Sequence, residues 1–501
     1  GASVELGDGS IVASTVQTDS RKVGEGDTFV CFPGERVNGN RFAPGAIDAG
    51  ASAVVMTEEP GEDVLSVARA HGCAVLRAEG DDATEFMLRL AAWWRSQNPQ
   101  WVVVGVTGSV GKTTTKDMLA AALATRYRVH ATAGNFNNLI GLPLTVLSAS
   151  EDDQVLVAEM GMNHKGELTR LSAVARPTVA LITNVGTSHI GLLGSRENIA
   201  RAKAEILSSM GPSDRPQNGV APCLEMTADN DFARLIEGEY AKPRGVDVTY
   251  VGTAGGCSPR ALDIELDAES LPSLTLSFAD GWEERVSLPI PGRHVVWDFL
   301  LAMGIADRLG VDRHQAASAI ASMPQTHMRM EVVTAPGKPR LIDDSYNASP
   351  SSMAAALDVL CSMACEGRRV AVLGEIGELG GEGPRLHGYV GAYAAAKPLD
   401  LLVLVGGEGA AEMREAALIM GFSEDRLELL PNVGEALSVI APILRPTDLV
   451  LVKASRSVNL DQFVKCWSRC SETRATPRTR SSCPLASRPS SRVRSCRSSS
   501  R

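Results

Sequence analysis

The sequence predicts an α/β protein made of three domains and a short tail of different composition. Three observations support this fold class. The chain has 501 residues, enough for about three domains of ordinary size. Apolar strand-like runs alternate with helical patterns over most of the chain, as they do in a parallel sheet covered by helices. A glycine-rich turn at residues 107–116 joins one such strand to one such helix, which is the arrangement of a phosphate-binding loop.

Residues 1–97 form the first predicted domain. They open with short strand-like pieces, and residues 46–56 (AIDAGASAVVM) have the pattern of a helix, a glycine stop and a strand. The segment SQNP at residues 96–99 has the composition of a linker, so we place the first domain boundary there.

Residues 98–326 form the second predicted domain, a parallel-sheet ATPase domain. Its predicted strands lie at residues 101–106, 154–159 and 178–184. Between residues 246 and 290 the pattern changes to short alternating strands, which predicts an antiparallel annex. A helix is predicted to follow over about residues 295–309.

Residues 327–467 form the third predicted domain, with a Rossmann-like alternation of strand and helix. Its predicted strands lie at residues 369–374, 399–406 and 448–455. The run GEIGELGGEG at residues 374–383 is rich in glycine but lacks the G-x-G-x-x-G pattern. We therefore interpret this run as a strand-end loop rather than a dinucleotide site.

Residues 468–501 form a tail that carries nine arginines and one glutamate and has no hydrophobic periodicity. Such a segment cannot bury enough apolar surface to fold, so its composition predicts disorder. Two interpretations remain open: an RNA-binding arginine/serine tail, or an out-of-frame or artefactual end, which the abrupt change in composition favours.

Charge and composition restrict the possible partners. The net charge is −10, and it is about −18 without the basic tail, which argues against nucleic acid as the main partner. No apolar run approaches the ~20 residues that span a bilayer, and the first ten residues lack the features of a signal peptide. The ten cysteines form no CxxC pair. We expect a cytoplasmic protein with reduced thiols.

The turn TGSVGKTTTK at residues 107–116 is the strongest functional signal. Successive backbone N–H groups and the positive end of a helix dipole face one point in such a turn. Lys112 adds a positive charge there, and Thr113 or Thr114 offers a hydroxyl to magnesium. The match to the strict motif is incomplete, because Val106 stands where glycine is expected. The pattern predicts a nucleoside triphosphate site with candidate ligands Gly108, Ser109, Val110, Gly111, Lys112, Thr113 and Thr114.

Two other predicted strands end in residues that can hold a metal. Glu159 follows the apolar run 155–158, and the strand at 178–184 leads through TNVGTS to His189. Because the carboxyl ends of parallel strands share one edge, we expect both side chains to converge on the phosphate-binding turn. A lone Glu or His at a strand end is more often structural. The prediction of a metal site therefore depends on both side chains lying together at the phosphate-binding turn. Lys203 lies in a helical stretch whose mixed charges, by spacing alone, indicate a solvated surface.

Seven segments, spread over about residues 15–463, match one family pattern: TDSRKV (18–23), TGSVGKTTTK (107–116), GNFNNLIGLPLTVL (134–147), EMGMNHKGEL (159–168), TNVGTSHIGLLGSRENIARAKAEI (183–206), DDSYNASPSSM (343–353) and VKASRS (452–457). Together they resemble the Mur ligase family, ATP-dependent amide-forming enzymes of peptidoglycan synthesis. The third and sixth segments resemble the branch that adds D-alanyl-D-alanine rather than its paralogues.

The resemblance implies a ligase that uses ATP to convert a substrate carboxylate into an acyl phosphate, which an amine then attacks. In this branch the substrates are UDP-N-acetylmuramoyl-tripeptide and D-alanyl-D-alanine. By the same resemblance, Lys112 holds the β- and γ-phosphates and Thr113 and Glu159 ligate one Mg²⁺. His189 ligates a second Mg²⁺ near the substrate carboxylate.

Lys203 matches the family lysine that reacts with carbon dioxide to form a carbamate. A carbamate is anionic and offers two oxygen ligands to magnesium, whereas a lysine cation would repel the ion. Only a neutral amine reacts in this way, so the resemblance implies a partly desolvated lysine with a lowered pKa.

The resemblance also assigns substrate contacts. Ser20 and Arg21 lie in the segment that holds the uridine diphosphate end of the substrate, although a structural salt bridge is the alternative for Arg21. Asn137 and Asn138 match residues of the peptide or nucleotide cleft, although paired asparagines also form ordinary turns. The third domain closes over ATP and brings further residues to the nucleotide: Arg329, Asp344 and Asn347.

Three positions depart from the family pattern. Val295 and Asp298 stand where the family has asparagines, one of which reads adenine. An ionised carboxylate accepts hydrogen bonds but cannot donate one to the adenine ring nitrogen, so we expect weaker ATP binding, unless a shifted helix brings another residue to the base. Ala454 stands where the family usually has glycine, which questions the packing of the third domain.

Two kinds of alternative remain. One is another ligase of the superfamily, such as the diamino-acid-adding Mur enzyme or folylpolyglutamate synthase. The other is an inactive nucleotide-binding paralogue, against which the joint presence of Lys112, Glu159, His189 and Lys203 argues. The sequence does not determine the third residue of the accepted peptide; we expect a monomer.

Overall fold

The computed structural model describes residues 1–7, 11–12, 14–34, 37–211 and 219–469. The predicted disorder of the tail therefore lies outside the described residues, except for its first two residues, which end the last helix. Among the described residues, no helix combines the length and apolar character needed to cross a membrane.

Residues 1–97 fold around a five-stranded sheet, with these elements: β1 (Ala2–Leu6), β2 (Val16–Gln17), β3 (Thr28–Val30), α1 (Ala43–Asp48), β4 (Ala53–Met56), α2 (Glu62–His71), β5 (Ala74–Ala78) and α3 (Ala83–Gln97). The strand order is β1-β5-β4-β3-β2. Strand β1 is antiparallel to β5, and the other neighbours are parallel. The middle strand β4 is wholly apolar and buried, as expected for a strand covered on both faces.

The middle of the chain forms a six-stranded sheet and a small antiparallel sheet, with these elements: β6 (Val102–Thr107), α4 (Lys112–Leu123), β7 (Val129–Ala131), α5 (Gly141–Ser148), β8 (Val155–Glu159), α6 (Glu167–Ala175), β9 (Val179–Ile182), α7 (Ile190–Leu193), α8 (Arg196–Ala204), β10 (Cys223–Thr227), α9 (Ala233–Ile236), β11 (Asp247–Val251), β12 (Arg260–Leu266), β13 (Pro272–Ser277), β14 (Glu283–Ser287), α10 (Val295–Arg308) and α11 (Arg313–Ala321).

The six-stranded sheet is parallel throughout, in the order β11-β10-β9-β6-β8-β7. Strand β6 lies between β8 and β9, so the three strands predicted to carry site residues are neighbours. The predicted antiparallel annex is the sheet β12-β13-β14. Helix α10 packs against α4, the helix that follows the phosphate-binding turn.

Residues from 331 onwards form a second six-stranded sheet, with these elements: β15 (Glu331–Val333), β16 (Arg340–Asp343), α12 (Pro350–Ser362), β17 (Arg369–Gly374), α13 (Gly383–Ala395), β18 (Leu401–Val405), α14 (Glu408–Ile419), β19 (Leu427–Leu430), α15 (Val433–Ile440), β20 (Leu449–Lys453) and α16 (Asp461–Arg469). The order is β15-β16-β20-β17-β18-β19, and only β15 is antiparallel to its neighbour. The three-domain α/β fold class is thus confirmed, while the predicted domain boundaries stay predictions.

Ala454 is accommodated in this sheet although the family usually has glycine there. The side chain is fully buried, and it faces the backbone of Gly374 at the end of β17. A Cβ added to Gly374 would lie 2.6 Å from the Cβ of Ala454, closer than two carbons can approach. The extra methyl group at residue 454 therefore fills the space that glycine leaves at residue 374.

The glycine-rich run 374–383 is a strand-end loop. Its residue Glu375 occupies a helix terminus at which a phosphate could bind. Glu375 Oε1 accepts hydrogen bonds from the backbone N–H groups of Gly407 (3.0 Å), Gly409 (2.7 Å) and Ala410 (3.3 Å) at the start of α14. In a Rossmann-like sheet this helix terminus is where a dinucleotide phosphate would bind. The protein's own carboxylate satisfies it.

Candidate active site

A cleft of about 1240 Å³ lies where the carboxyl ends of the central parallel strands face the third domain. Most of the predicted site residues line it: Gly108, Ser109, Val110, Gly111, Lys112, Thr113, Thr114, Asn137, Asn138, Glu159, His189, Lys203, Asp298, Arg329, Asp344 and Asn347. Ser20 and Arg21 do not line it.

Two glycines shape the phosphate-binding turn. Gly108 has φ +154°, and a Cβ there would lie 1.8 Å from Thr183 Oγ1, so no other residue fits. Gly111 has φ +84°, and a Cβ there would lie 2.4 Å from Asp298 Oδ1. The turn therefore passes between two neighbouring segments with no room for side chains at these positions.

The segment after β9 holds the turn in place. Asn184 Oδ1 accepts a hydrogen bond from the backbone N–H of Val110 (3.1 Å), and Asn184 Nδ2 donates to the Val110 carbonyl (3.1 Å). Thr183 Oγ1 donates to the same carbonyl (2.5 Å). Sequence reasoning treated TNVGTS only as the path to His189 and missed this role. The signal that could have found it is the position of two polar side chains directly after a buried strand next to β6.

Helix α4 begins directly at the turn and is open to an anion. Its N-cap is Gly111, and no side chain caps the first turn of the helix. Lys112 Nζ donates to the Gly108 carbonyl (2.8 Å), which folds the lysine back over the turn. Burial lowers the pKa of Lys112, and the nearby Glu159 opposes this shift. The free N–H groups, the helix dipole and a lysine together form a site for a phosphate.

Glu159 ends β8 inside the cleft with both carboxylate oxygens engaged. Its Oε2 accepts from Thr113 Oγ1 (3.0 Å), and its Oε1 accepts from Asn137 Nδ2 (2.7 Å). The carboxylate is only 2% exposed and lies near Lys112. A hydroxyl and a carboxylate at 3.0 Å beside a phosphate site are hard oxygen ligands that suit Mg²⁺, so the residues present fit the metal.

His189 stands across the cleft, at the start of α7, in a left-handed conformation with φ +65°. Its Nδ1 is buried and lies 2.5 Å from Glu378 Oε2 of the third domain, without the alignment of a hydrogen bond. The side chain is 19% exposed, so Nε2 is the ring nitrogen left for the cleft.

Lys203 is buried, which contradicts the solvated surface indicated by spacing alone. It is 1% exposed, although it lies between two partly exposed charged residues, Arg201 and Glu205. Burial and the neighbouring charge of Lys112 lower the pKa of Lys203 well below its ordinary value. Among the described residues, no hydrogen bond or ion pair reaches its Nζ. A buried, unpaired amine whose neutral form is favoured by burial fits the requirement for carbamate formation.

The third domain contributes a second group of site residues. Arg329 Nη2 donates to Thr113 Oγ1 (3.3 Å), and its guanidinium stacks on Tyr346, 4.0 Å from the ring centroid. Asp344 Oδ2 lies 2.5 Å from Lys453 Nζ, which also donates to the carbonyl of Asn347 (2.9 Å). The sequence analysis quoted the segment that contains Lys453 but gave this residue no role.

Asp298 also lines the cleft, but the expectation that it is ionised was wrong. The carboxyl is 7% exposed, and burial raises its pKa to about 8, an effect that the hydrogen bond with Thr115 only partly offsets. At neutral pH the group is mostly protonated, so it can donate as well as accept. The hydroxyl of Thr115 donates to Asp298 Oδ1 (3.0 Å), and the Gly111 carbonyl is the other acceptor within its reach (2.9 Å).

Three of the predicted substrate contacts are engaged in local structure. Arg21 is 86% exposed and pairs with Asp19 at 2.7 Å, and the same contact lowers the pKa of Asp19 to about 2. Ser20 begins the short 3₁₀ turn at this place. Asn138 Oδ1 accepts from the backbone N–H groups of Ile140 (3.1 Å) and Gly141 (2.8 Å), an ordinary turn at the start of α5. Their substrate roles stay predictions.

Three domains of one known protein family together match most of the chain. Residues 106–306 match the Mur ligase middle domain, and residues 328–456 match the Mur ligase glutamate ligase domain. Residues 13–85 match the catalytic domain of the Mur ligase family.

Individual relatives match over the whole length. The UDP-N-acetylmuramoyl-tripeptide–D-alanyl-D-alanine ligase of Bacillus subtilis is 35% identical, over 90% of this chain and 92% of that protein. The ligase of the same name from Escherichia coli is 31% identical, over 92% and 95%.

Solved structures agree with these matches. A crystal structure of MurF from Acinetobacter baumannii superimposes with a TM-score of 0.78 at 29% identity, over 91% of this chain and 93% of that one. MurF ligase from Thermotoga maritima, in complex with ADP, gives 0.74 at 25% identity, over 93% and 100%. Because these likenesses extend over about nine-tenths of the chain, it belongs to the Mur ligase family, in the branch of the UDP-N-acetylmuramoyl-tripeptide–D-alanyl-D-alanine ligases.

Proposed function

We propose that this chain uses ATP to join D-alanyl-D-alanine to UDP-N-acetylmuramoyl-tripeptide, through an acyl phosphate on the tripeptide carboxylate, in peptidoglycan precursor synthesis. The observation that carries the proposal is the buried, unpaired amine of Lys203 in the same cleft as the phosphate-binding turn. A protein that only binds a nucleotide has no need of a desolvated lysine at this place.

Different residues of the cleft bind the phosphates of ATP and the metal ions. The N–H groups at the start of α4 and the charge of Lys112 bind the triphosphate, and Thr113 and Glu159 hold one Mg²⁺. His189 and a carbamate on Lys203 hold a second Mg²⁺ near the substrate carboxylate. Bound Mg²⁺ neutralises the charge that gathers where a carboxylate approaches a triphosphate.

Formation of the carbamate needs only the neutral amine and carbon dioxide. The nitrogen lone pair of Lys203 attacks the carbon of CO₂, and one N–H proton leaves to solvent, so that an uncharged amine becomes an anionic ligand. The low pKa of Lys203 supplies the neutral form. The new negative charge lies beside the positive charge of Lys112, which attracts it.

The other predicted residues bind the remaining parts of the substrates. Arg329 contacts the hydroxyl of Thr113 and is placed to reach the phosphates of ATP. Asp344 and Asn347 lie beside it, with the charge of Asp344 balanced by Lys453. Ser20 and Arg21 hold the uridine diphosphate end, for which Arg21 must exchange Asp19 for the diphosphate. ATP and a UDP-linked precursor are cytoplasmic metabolites, so we place the reaction in the cytoplasm. We also expect the protein to be a monomer.

The test is release of inorganic phosphate from ATP by the full chain. We expect release only when the UDP-linked tripeptide and D-alanyl-D-alanine are both present, with one peptide bond, and so one pentapeptide, formed for each phosphate released. Meso-diaminopimelate, lysine and glutamate serve as control amines and should give no product. Product with one of these amines alone would favour another ligase of the superfamily, and nucleotide binding without any product would favour an inactive paralogue.

A further inference from the structure

At one of the contacts between the third domain and the central domain, two backbones meet with no side chain between them. The backbone N–H of Gly191, in α7, donates to the carbonyl of Glu378 (3.0 Å). A Cβ on Gly191 would lie 2.4 Å from the backbone nitrogen of Gly380. A Cβ on Gly380 would lie 2.7 Å from Cα of Gly191. We call the contact between residues 189–191 and residues 378–380 the docking contact.

One side-chain pair crosses the docking contact, and it involves a predicted metal ligand. Glu378 Oε2 lies 2.5 Å from Nδ1 of His189. Both residues have left-handed backbones, with φ +63° for Glu378 and +65° for His189, a conformation that residues with a Cβ rarely adopt. The proximity of His189 lowers the pKa of the Glu378 carboxyl. Two strained residues from different domains are thus held with the Glu378 carboxylate facing the His189 ring.

A carboxylate in this position has a known physical effect on a histidine that binds a metal. When one ring nitrogen ligates an ion, an acceptor at the other nitrogen fixes the tautomer, orients the ring and raises its basicity. Nδ1 of His189 is buried against Glu378, which leaves Nε2 for the cleft. The residue that would orient the ring therefore belongs to a different domain from the ring itself.

We propose that Glu378 is a positioning residue for His189, delivered by the third domain, so that the second metal site reaches full affinity only when the docking contact is formed. The inference rests on the proposed function, because it takes His189 as a metal ligand. Metal binding and domain docking are then linked: the ion stabilises the docked state, and docking raises affinity for the ion by the same factor. The second metal ion is therefore bound with full affinity only after the third domain has closed over ATP.

The rival explanation is an interface ion pair with no influence on the metal. A matched control separates the two. Glu382 lies in the same loop, pairs with Arg385 at 2.5 Å and does not line the cleft, so Glu382→Gln removes a nearby charge without touching His189. Glu378→Gln keeps the shape of the side chain, and Glu378→Ala removes it.

The first measurement is Mn²⁺ binding to the full chain by electron paramagnetic resonance, in the presence of a non-hydrolysable ATP analogue. We expect Glu378→Ala to weaken binding of the second ion about 10- to 100-fold, Glu378→Gln to weaken it less, and Glu382→Gln to leave it unchanged. Unchanged Mn²⁺ affinity in Glu378→Ala, with circular dichroism like that of the parent protein, would overturn the inference. A partial effect of the isosteric Glu378→Gln supports it even where Glu378→Ala folds poorly.

The second measurement is energy transfer between dyes on the central and third domains. In the parent protein, Mn²⁺ with the ATP analogue should shift the population towards the short distance, and in Glu378→Ala the shift should be lost. Loss of docking at unchanged Mn²⁺ affinity would identify a mere interface ion pair and contradict the linkage. Failure of the proposed function is distinguishable, because the parent protein would then bind no second Mn²⁺ and form no product.

Discussion

Replacing Asp298 with asparagine tests the claim that this buried carboxyl is protonated in the folded protein. The pKa is raised from 3.8 to about 8 because the group is removed from water. At pH 7 the folded state therefore holds a proton that the unfolded chain has lost. Asparagine is neutral at every pH and close in shape, and its amide oxygen can accept the hydrogen bond from Thr115 Oγ1 in place of Asp298 Oδ1.

The size of the effect follows from the two pKa values. Each unit between 3.8 and pH 7 costs about 1.36 kcal/mol, so Asp298 lowers the free energy of unfolding by about 4 kcal/mol at pH 7. The sign is that of a carboxyl with a raised pKa: its contribution is most favourable below pH 3.8 and is lost as the pH rises towards 8. At pH 5 the loss is only about 1.6 kcal/mol.

The assay is denaturant unfolding of the parent protein and Asp298→Asn at pH 5, 6, 7 and 8. We expect the variant to be the more stable protein at pH 7, by up to about 4 kcal/mol, and the advantage to shrink steadily towards pH 5. Glu415→Gln, which alters an exposed carboxylate on α14, should show no such trend. A stability difference that is the same at all four pH values would refute the reasoning, because it would mean that Asp298 has the same charge in the folded and unfolded chains.

Four further predictions concern activity and stability. Asp298→Asn should lower KM for ATP above pH 8, where the parent carboxylate cannot donate to adenine and forfeits about 1–3 kcal/mol, and should change KM little at pH 7; equal KM values at pH 9 would remove Asp298 from adenine recognition. Lys203→Ala should be nearly inactive in phosphate release and be partly restored by millimolar formate or acetate, which supplies the missing oxygens, whereas Lys112→Ala should not be rescued; an active Lys203→Ala enzyme would end the carbamate proposal. Glu159→Ala should reduce product formation to background while its circular dichroism stays that of the parent, and normal turnover in the folded variant would exclude Glu159 as a metal ligand. Glu225→Gln should raise the melting temperature at pH 8 more than at pH 5, because burial raises the pKa of this carboxyl and its Oε1 has no partner among the described residues; a change independent of pH would show that Glu225 does not titrate on unfolding.

The strands and the phosphate-binding turn were predictable because their signals are local. The six quoted strands of the two large parallel sheets each begin and end within two residues of their predicted bounds, since a buried parallel strand is a continuous apolar run. Glu159 could be placed for the same reason, as the first charged residue after such a run. Its position in the cleft then follows from the shared edge of the parallel sheet.

The rest of the site depends on contacts between distant segments, which no local pattern records. Lys203 lies between two partly exposed charged residues, and its burial depends on how α8 is packed in the fold rather than on its neighbours in sequence. The raised pKa of Asp298 arises because α10 packs on α4, beneath Gly111. Glu378 meets His189 only because a loop of another domain reaches α7. Each of these depends on the meeting of two segments that lie far apart in the chain.

Glu375 gives the third domain a property that its sheet alone would not have. This carboxylate occupies the N-terminus of α14. The domain therefore has the architecture of a nucleotide-binding domain, but its own side chain fills the site where a phosphate would bind. A single side chain thus distinguishes a domain that binds a phosphate ligand itself from a domain that contributes residues to the ligand site of another domain. Shortening Glu375 to alanine would expose three backbone donors to any small anion in solution, and a sulfate-dependent rise in stability of that variant would show that this helix terminus binds an anion once the carboxylate is removed.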